Sequence, residues 1–296
     1  MLDEAVSGSV RVTMRLLAIS DLHLGYADNR KALVELEDHP DDWLLLGGDV
    51  GDTVQQVAWG LTQLVRRFAK VFWVPGNHEL WSTEPGAPRG EARYAQMVEL
   101  CRQHGVVTPE DPYLRWPGDG PPTRIVPLFL LYDYSFGPPG MSPSEVVAWA
   151  AAGKIRAADE RLLHPDPHPN RQAWCLDRIT VTEARLETIR DDRWVVMNHW
   201  PLRRDLVRIP RVPRYVPWCG TVRTEDWHTR YPIDVVVNGH LHVRATDWRD
   251  GVRFEEVALG YPRHWRREKG MQGYLRTILP RVPQPSTDPV KTVWHR

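Results

Sequence analysis

Carboxylate, imidazole and amide side chains recur in this chain directly after short apolar runs: Asp21 and His23, Asp49, Asn77 and His78, His199, and His240 and His242. Asp21 and His23 lie on the same side of an extended backbone, one residue apart, where both can grip one cation. Asn77, His78 and Glu79 offer an amide oxygen, an imidazole and a carboxylate in sequence. A single histidine after a strand is ordinarily a hydrogen-bonded structural residue. Here five of the twelve histidines follow an apolar run within five residues, with acids and an amide among them. Independent structural accidents do not account for that, and the pattern points to one shared site.

Those side chains need elements that deliver them to one place. Residues 15–20 (RLLAIS), 43–46 (WLLL), 71–74 (VFWV), 194–197 (WVVM) and 234–237 (DVVV) read as short buried strands. Gly47 and Gly48 let the backbone turn sharply after the second, which puts Asp49 at a strand end. Val54, Val57, Ala58, Leu61, Leu64, Val65 and Phe68 then fall at helical spacing, with Asp52 or Thr53 as the cap. In open α/β sheets, loops diverge and ligands collect at the carboxyl ends of the strands.

Helices are expected over 29–37, over 91–103 with Gly105 as its stop, over the Ala-rich 144–163, and from a Thr180/Glu183 capping box to residue 190. Further strands fall at 125–131, where Pro127 marks an edge or a bulge, at 252–257 and at 274–279. The HPDPHPN stretch holding His164 and His168 reads as exposed loop, residues 1–12 as a leader and 281–296 as an extended tail.

With 296 residues, 42% of them hydrophobic, the chain can bury one sizeable core, and one domain over 13–280 is expected, with insertions near 108–175 and 201–232. Lys+Arg 38 and Asp+Glu 38 cancel, so no whole-chain field argues for nucleic acid or membrane, and any anion binding must be local. Cys101, Cys175 and Cys219 are odd in number and far apart, which makes neither a disulfide framework nor a metal knuckle and points to a reducing, cytoplasmic setting. No apolar run approaches the roughly 20 residues of a membrane span.

In order along residues 15–242, the series DLH, GDVGD, GNHE, a later histidine in NHW, and GHLH resembles the calcineurin-like metallophosphoesterases. GNHE together with GHLH is the specific part of that pattern; DxH alone is not. The resemblance implies a two-sheet α/β sandwich flanked by helices, with a dinuclear metal site at the carboxyl ends of the strands. It implies one ion held by Asp21, His23, Asp49 and His242, and a second held by Asn77, His199, His240 and the same, bridging Asp49.

Mixed imidazole and oxygen donors suit Mn, Fe or Zn. Two such cations can share a hydroxide and clamp both oxygens of an in-line phosphoryl transfer, and a shared carboxylate offsets their repulsion. His78 is spare as a ligand and by resemblance faces the substrate, protonating the leaving oxygen or stabilising charge on the phosphorane. Asp52, the second acid of GDxxD, matches a residue that orients His78; plain helix capping is the other reading, and one residue can do both. Glu79 is either a partner of the ligands or a surface acid. Thr53 and Val54 follow Asp52 where the phosphoprotein phosphatases of this superfamily read GDxxDRG, which argues against a Ser/Thr protein phosphatase.

Between His199 and Asp234 the chain carries Arg203, Arg204, Arg208, Arg211, Arg214, Arg223 and Arg230 against Asp205, Glu225 and Asp226, with Trp200, Tyr215, Trp218 and Trp227 interleaved. Bracketed by ligands, this insertion should lie over the site. Guanidinium forks match phosphate oxygens and aromatic faces stack on bases. Arg203, Arg204 and Trp200 are therefore candidate substrate-binding residues for an anionic phosphoester, a nucleotide among the options, with no clear protein partner and no membrane. The alternative is that they cover the sandwich edge. Residues 263–267 (RHWRR) join the same rim as a second cluster.

The expected function is hydrolysis of a phosphodiester or phosphomonoester by hydroxide held between two metal ions. One rival is a catalytically silent metal-binding scaffold that binds a partner, which the retention of every ligand disfavours. The other is a nuclease acting on nucleic-acid ends, whose usual DNA-binding additions are not visible here.

Overall fold

The computed structural model describes residues 13–281 and 292–295. Its strands form two sheets. The smaller has the order β3 (Phe68–Trp73), β2 (His39–Leu46), β1 (Leu16–Ile19), β9 (Arg276–Leu279), with β1, β2 and β3 parallel and β9 antiparallel to β1. The larger runs β10 (Val293–Trp294), β7 (Ala245–Arg249), β8 (Val252–Glu256), β6 (Ile233–Asn238), β5 (Arg193–Met197), β4 (Thr123–Pro127). In it, β4, β5, β6 and β8 are parallel, and β7 and β10 run antiparallel to their neighbours.

Alternation along the strands builds the sandwich. Leu16 and Ala18 of β1, Leu45 of β2, Val195 and Met197 of β5 and Val235 and Val237 of β6 share one core. Leu17 and Ile19, Leu44 and Leu46, Trp194 and Val196, and Val236 belong to another core, which includes the helices. A strand points successive side chains to opposite faces, so an all-apolar run fits only where both faces are covered. Leu45 is fully buried, and Leu45→Ala should cost about 2–5 kcal/mol. The helices are α1 (Ala27–Val34), α2 (Val54–Val65), α3 (Asn77–Leu80), α4 (Gly90–Gln103), α5 (Pro143–Ala152), α6 (Asp159–Leu162), α7 (Arg171–Leu186) and α8 (Trp227–Arg230). Among the described residues no helix is long and apolar enough to cross a membrane.

The sheets meet where the site lies. Ser20, just after β1, bridges to Ala258, just after β8, and the Gly260 N–H donates to the Asp21 carbonyl at 3.0 Å. The carboxyl ends of five parallel strands, β1, β2, β3, β5 and β6, therefore face one place.

Several local expectations are corrected. The Ala-rich stretch forms two helices, α5 and α6, separated by a turn in which Lys154 takes φ 61°. Thr180 does not open a helix. It lies inside α7, its hydroxyl bonded to the Leu176 carbonyl, and Asn170 is the cap, accepting from the Ala173 N–H at 2.9 Å. Residues 125–131 are shorter as a strand, because β4 ends at Pro127, on the sheet edge as its missing N–H requires. β7 and β10 have no counterpart among the expected strands; the two residues of β10 are too few to show a period. The leader assigned to residues 1–12 lies outside the described residues.

Candidate metal centre

Strand ends alone do not aim side chains; the turns after them do. Asp21, His23, Asp49, His240 and His242 all take φ between 42° and 73°, a region costly for any residue with a Cβ. Such strain persists only where surroundings enforce it. The Asp21 N–H donates to the Gly48 carbonyl and the His23 N–H to the Asp49 carbonyl, both at 2.9 Å, which welds the first loop to the second. Gly76 passes so close to Asp49 that a Cβ there would sit 2.1 Å from Oδ1, so only glycine lets the third loop pack against the second.

Glu79 ties these turns together. Fully buried, its Oε2 accepts from the Asp49 N–H at 2.9 Å and the Gly76 N–H at 2.8 Å, while Oε1 accepts from the Val50 N–H at 2.5 Å. Burial lifts its carboxyl above the usual range, against the pull of these donors. The choice left open by the sequence falls to a buried partner of the ligand loops.

Two clusters stand side by side. Asp21, His23 and His242 present ligand atoms within 4.8 Å of one another, with His242 Nε2 at 2.9 Å from Asp21 Oδ1 and 3.1 Å from His23 Nε2. Asp49, His199 and His240 do the same, with His199 Nε2 at 3.2 Å from His240 Nδ1 and 3.5 Å from Asp49 Oδ2. His199 Nδ1 lies 2.8 Å from the Gly47 carbonyl, so its proton belongs there and the Nε2 lone pair is left for a metal ion. Asn77 joins from α3: its Nδ2 donates to Asp159 at 3.0 Å, and its Oδ1 is buried with no partner.

The donor set fits metal ions. Burial, then neighbouring charges, push His23 and His240 well below the ordinary histidine range, and burial holds His199 at about 4, so all three are neutral imidazoles as ligands must be. Asp21 is held low despite burial, because His242 and its neighbours favour the carboxylate. Burial pushes Asp49 up instead, with Asp21 and Glu79 adding to that rise. A buried group of two acids, four imidazoles and an orphaned amide oxygen is costly without cations to draw it together.

His78 stands apart. Its Nδ1 meets Asp52 Oδ1 at 2.6 Å, and its ring lies 4.7 Å from His23 and 3.7 Å from Trp81. Burial disfavours its charge, yet Asp49 and Asp52 prevail and raise it to about 9. Capping of α2 falls to Thr53, which accepts from the Gln56 N–H, and Asp52 is left for the imidazole.

Asp49, His78, His240 and His242 line a cleft of about 890 Å³, walled by residues of the 201–232 insertion and by Tyr261, Arg263 and His264. The substrate-binding candidates are not among its lining residues. Trp200 is fully buried against His199 and cannot stack on a ligand. Arg203 is held by Asp205, the Glu225 carbonyl and His228, and Arg204 is exposed away from the cleft. From the same insertion Arg208, Arg211 and Tyr215 line it. Residues not singled out before are Asp159, buried behind Asn77, and Tyr261, whose ring is 4.5 Å from His23. Neither follows a strand with a recognisable motif. His264, from the second arginine-rich cluster, reaches His242 Nδ1 at 3.1 Å.

A family model described as calcineurin-like phosphoesterase matches residues 14–244. Over 273 residues the chain is 50% identical to the acyl-carrier-protein phosphodiesterase PptH of Mycobacterium tuberculosis, covering 90% of this chain and 83% of that protein. The crystal structure of phosphopantetheinyl hydrolase (PptH) from Mycobacterium tuberculosis superposes with a TM-score of 0.86 at 48% identity, covering 92% of this chain and 99% of that one. Neither a nucleotide substrate nor the absence of a protein partner draws support from these relatives, whose name gives a carrier protein as substrate.

Proposed function

This chain belongs to the calcineurin-like phosphoesterases, metal-dependent enzymes that hydrolyse phosphoesters, and from that premise we propose that it is a phosphodiesterase releasing the phosphopantetheinyl arm from acyl carrier protein. One observation carries the reading: two ligand clusters lie side by side at the floor of a cleft large enough for an extended arm, with His78 beside them. Asp21, His23 and His242 would hold one ion, Asn77, His199 and His240 a second, and Asp49 both. When bound, such ions supply Lewis acidity and charge neutralisation for in-line attack of water on phosphorus. The one-domain organisation over 13–280 is part of the same proposal.

The chain's own residues handle the proton. His78, fixed through Nδ1 by Asp52, whose charge and hydrogen bond favour the imidazolium, keeps the Nε2 proton for the leaving oxygen. As the phosphorus–oxygen bond to the carrier breaks, that proton passes to the departing oxygen. The remaining product is the phosphate monoester of the arm.

Metal-loaded protein should convert phosphopantetheinylated carrier protein to the bare carrier, read as loss of the arm's mass, and should release nitrophenol from bis(p-nitrophenyl) phosphate. Asp49→Asn should abolish both. Turnover of nucleotide diesters with an untouched carrier would refute the proposal.

A further inference from the structure

The cleft has a charge that phosphoester hydrolysis alone does not require. Its lining includes Lys154, Arg156, Arg208, Arg211 and Arg263, while its one carboxylate is Asp49 at the floor. In a chain whose basic and acidic residues number 38 each, that is a concentrated local field. Lys154 and Arg156 follow α5, Arg208 and Arg211 come from the insertion, and Arg263 comes from the loop after β8. Only the tertiary structure brings them together.

Among the described residues many exposed arginines are paired, Arg230 with Glu183 and Arg193 with Asp234 among them, and the half-buried Arg208 is paired with Asp247. Lys154, Arg156 and Arg211 are exposed and make no ion pair among the described residues. A phosphodiester carries a single negative charge, which ions held by the two clusters would meet. Three further unpaired cations line the same cleft, a surplus of positive charge that one small arm does not neutralise.

Two observations favour a folded protein over a nucleic acid. Ile209 and Val212, partly exposed between the arginines, add apolar contact. The aromatic faces needed to stack bases are largely engaged, with Tyr261 against His23 and Tyr215 against His240, leaving Trp294 as the one lining aromatic that is mostly open. Resting on the function proposed above, we infer that Lys154, Arg156 and Arg211, with Arg263, form the docking surface for an acidic face of the carrier protein, which presents its phosphodiester to the metal centre. The contact is electrostatic, so it governs encounter and KM more than the chemical step.

The test uses carrier protein without its arm, so that docking is read apart from hydrolysis. It should bind the metal-loaded enzyme and weaken about tenfold between roughly 50 and 300 mM salt. Lys154→Glu/Arg156→Glu/Arg211→Glu should weaken binding about thirtyfold and the triple glutamine variant about tenfold. Arg66→Glu, at the far end of α2 where the chain enters β3, should change nothing. Far-ultraviolet circular dichroism and metal content keep a folding defect distinct.

Binding insensitive to salt and to the triple reversal would overturn the inference, as would a wild type that binds no carrier protein. So would a single-stranded oligonucleotide that binds more tightly than the carrier and is displaced by the same reversal. Turnover of the armed carrier, measured in parallel, separates the two claims: docking without turnover sinks the proposed function, and turnover with unaltered docking sinks this one.

Discussion

Glu79→Gln probes the framework under the ligands without replacing one. The carboxylate takes three backbone N–H groups, two on Oε2 and one on Oε1, in a site with no exposed surface. A glutamine oxygen can keep the Asp49 and Gly76 donors, but its amide nitrogen then faces the Val50 N–H, donor against donor. An unsatisfied buried N–H costs about 1–3 kcal/mol, while a neutral amide is easier to bury than a carboxylate. The net loss should be about 2 kcal/mol, equivalent to a fall in Tm of about 3–4 °C for a chain of this size.

Because Glu79 holds the backbone on both sides of Asp49's turn, metal affinity should also fall about tenfold. Thermal unfolding of chelator-stripped protein isolates the first effect, since bound metal raises Tm by mass action. Calorimetric metal titration reads the second. A Tm within about 1 °C of wild type together with a metal Kd within about twofold would refute the argument that this carboxylate positions Asp49.

Asp52→Asn should lower the His78 pKa from about 9, because the hydrogen bond and the charge that raise it both weaken. His78 binds its proton more tightly folded than unfolded, so its stabilisation is full below about 6.5 and fades as pH rises through about 9. The stability difference between metal-free wild type and Asp52→Asn should therefore be largest near pH 6 and shrink toward pH 10, measured by urea unfolding; a constant difference would remove Asp52 as the cause. Neutralising Arg203 and Arg204 together should leave KM for bis(p-nitrophenyl) phosphate within about twofold, since neither residue lines the cleft. A tenfold rise in KM would restore them to the substrate site.

Much of the architecture was legible because its causes are local. Runs such as WLLL and DVVV can be satisfied only as strands covered on both faces, and they lie in β2 and β6. Thr180 misled for a physical reason: a Thr three residues before a Glu suits a helix start, but the apolar face of α7, from Trp174 through Ile179 to Leu186, runs straight through it. Propensity yielded to packing. In the site, eight ligand-type residues follow from strand ends and motifs, whereas the position of Trp200 and Arg203 outside the cleft lining does not, because nearness in sequence to His199 says nothing about which way a side chain turns.

What the sequence by itself determined was the five strands that carry the ligands, the order of the metal-ligand types at their ends, and so the chemistry. Those follow from periodicity, turn residues and donor types over a few residues at a time. Tertiary structure alone decided that Glu79 braces the ligand turns, that Asp159 fixes Asn77, and that Lys154, Arg156, Arg211 and Arg263 share one cleft. Glu79 lies 30 residues from Asp49, Asp159 82 from Asn77, and Arg263 more than 100 from Lys154, and only two sheets packed face to face bring them within reach.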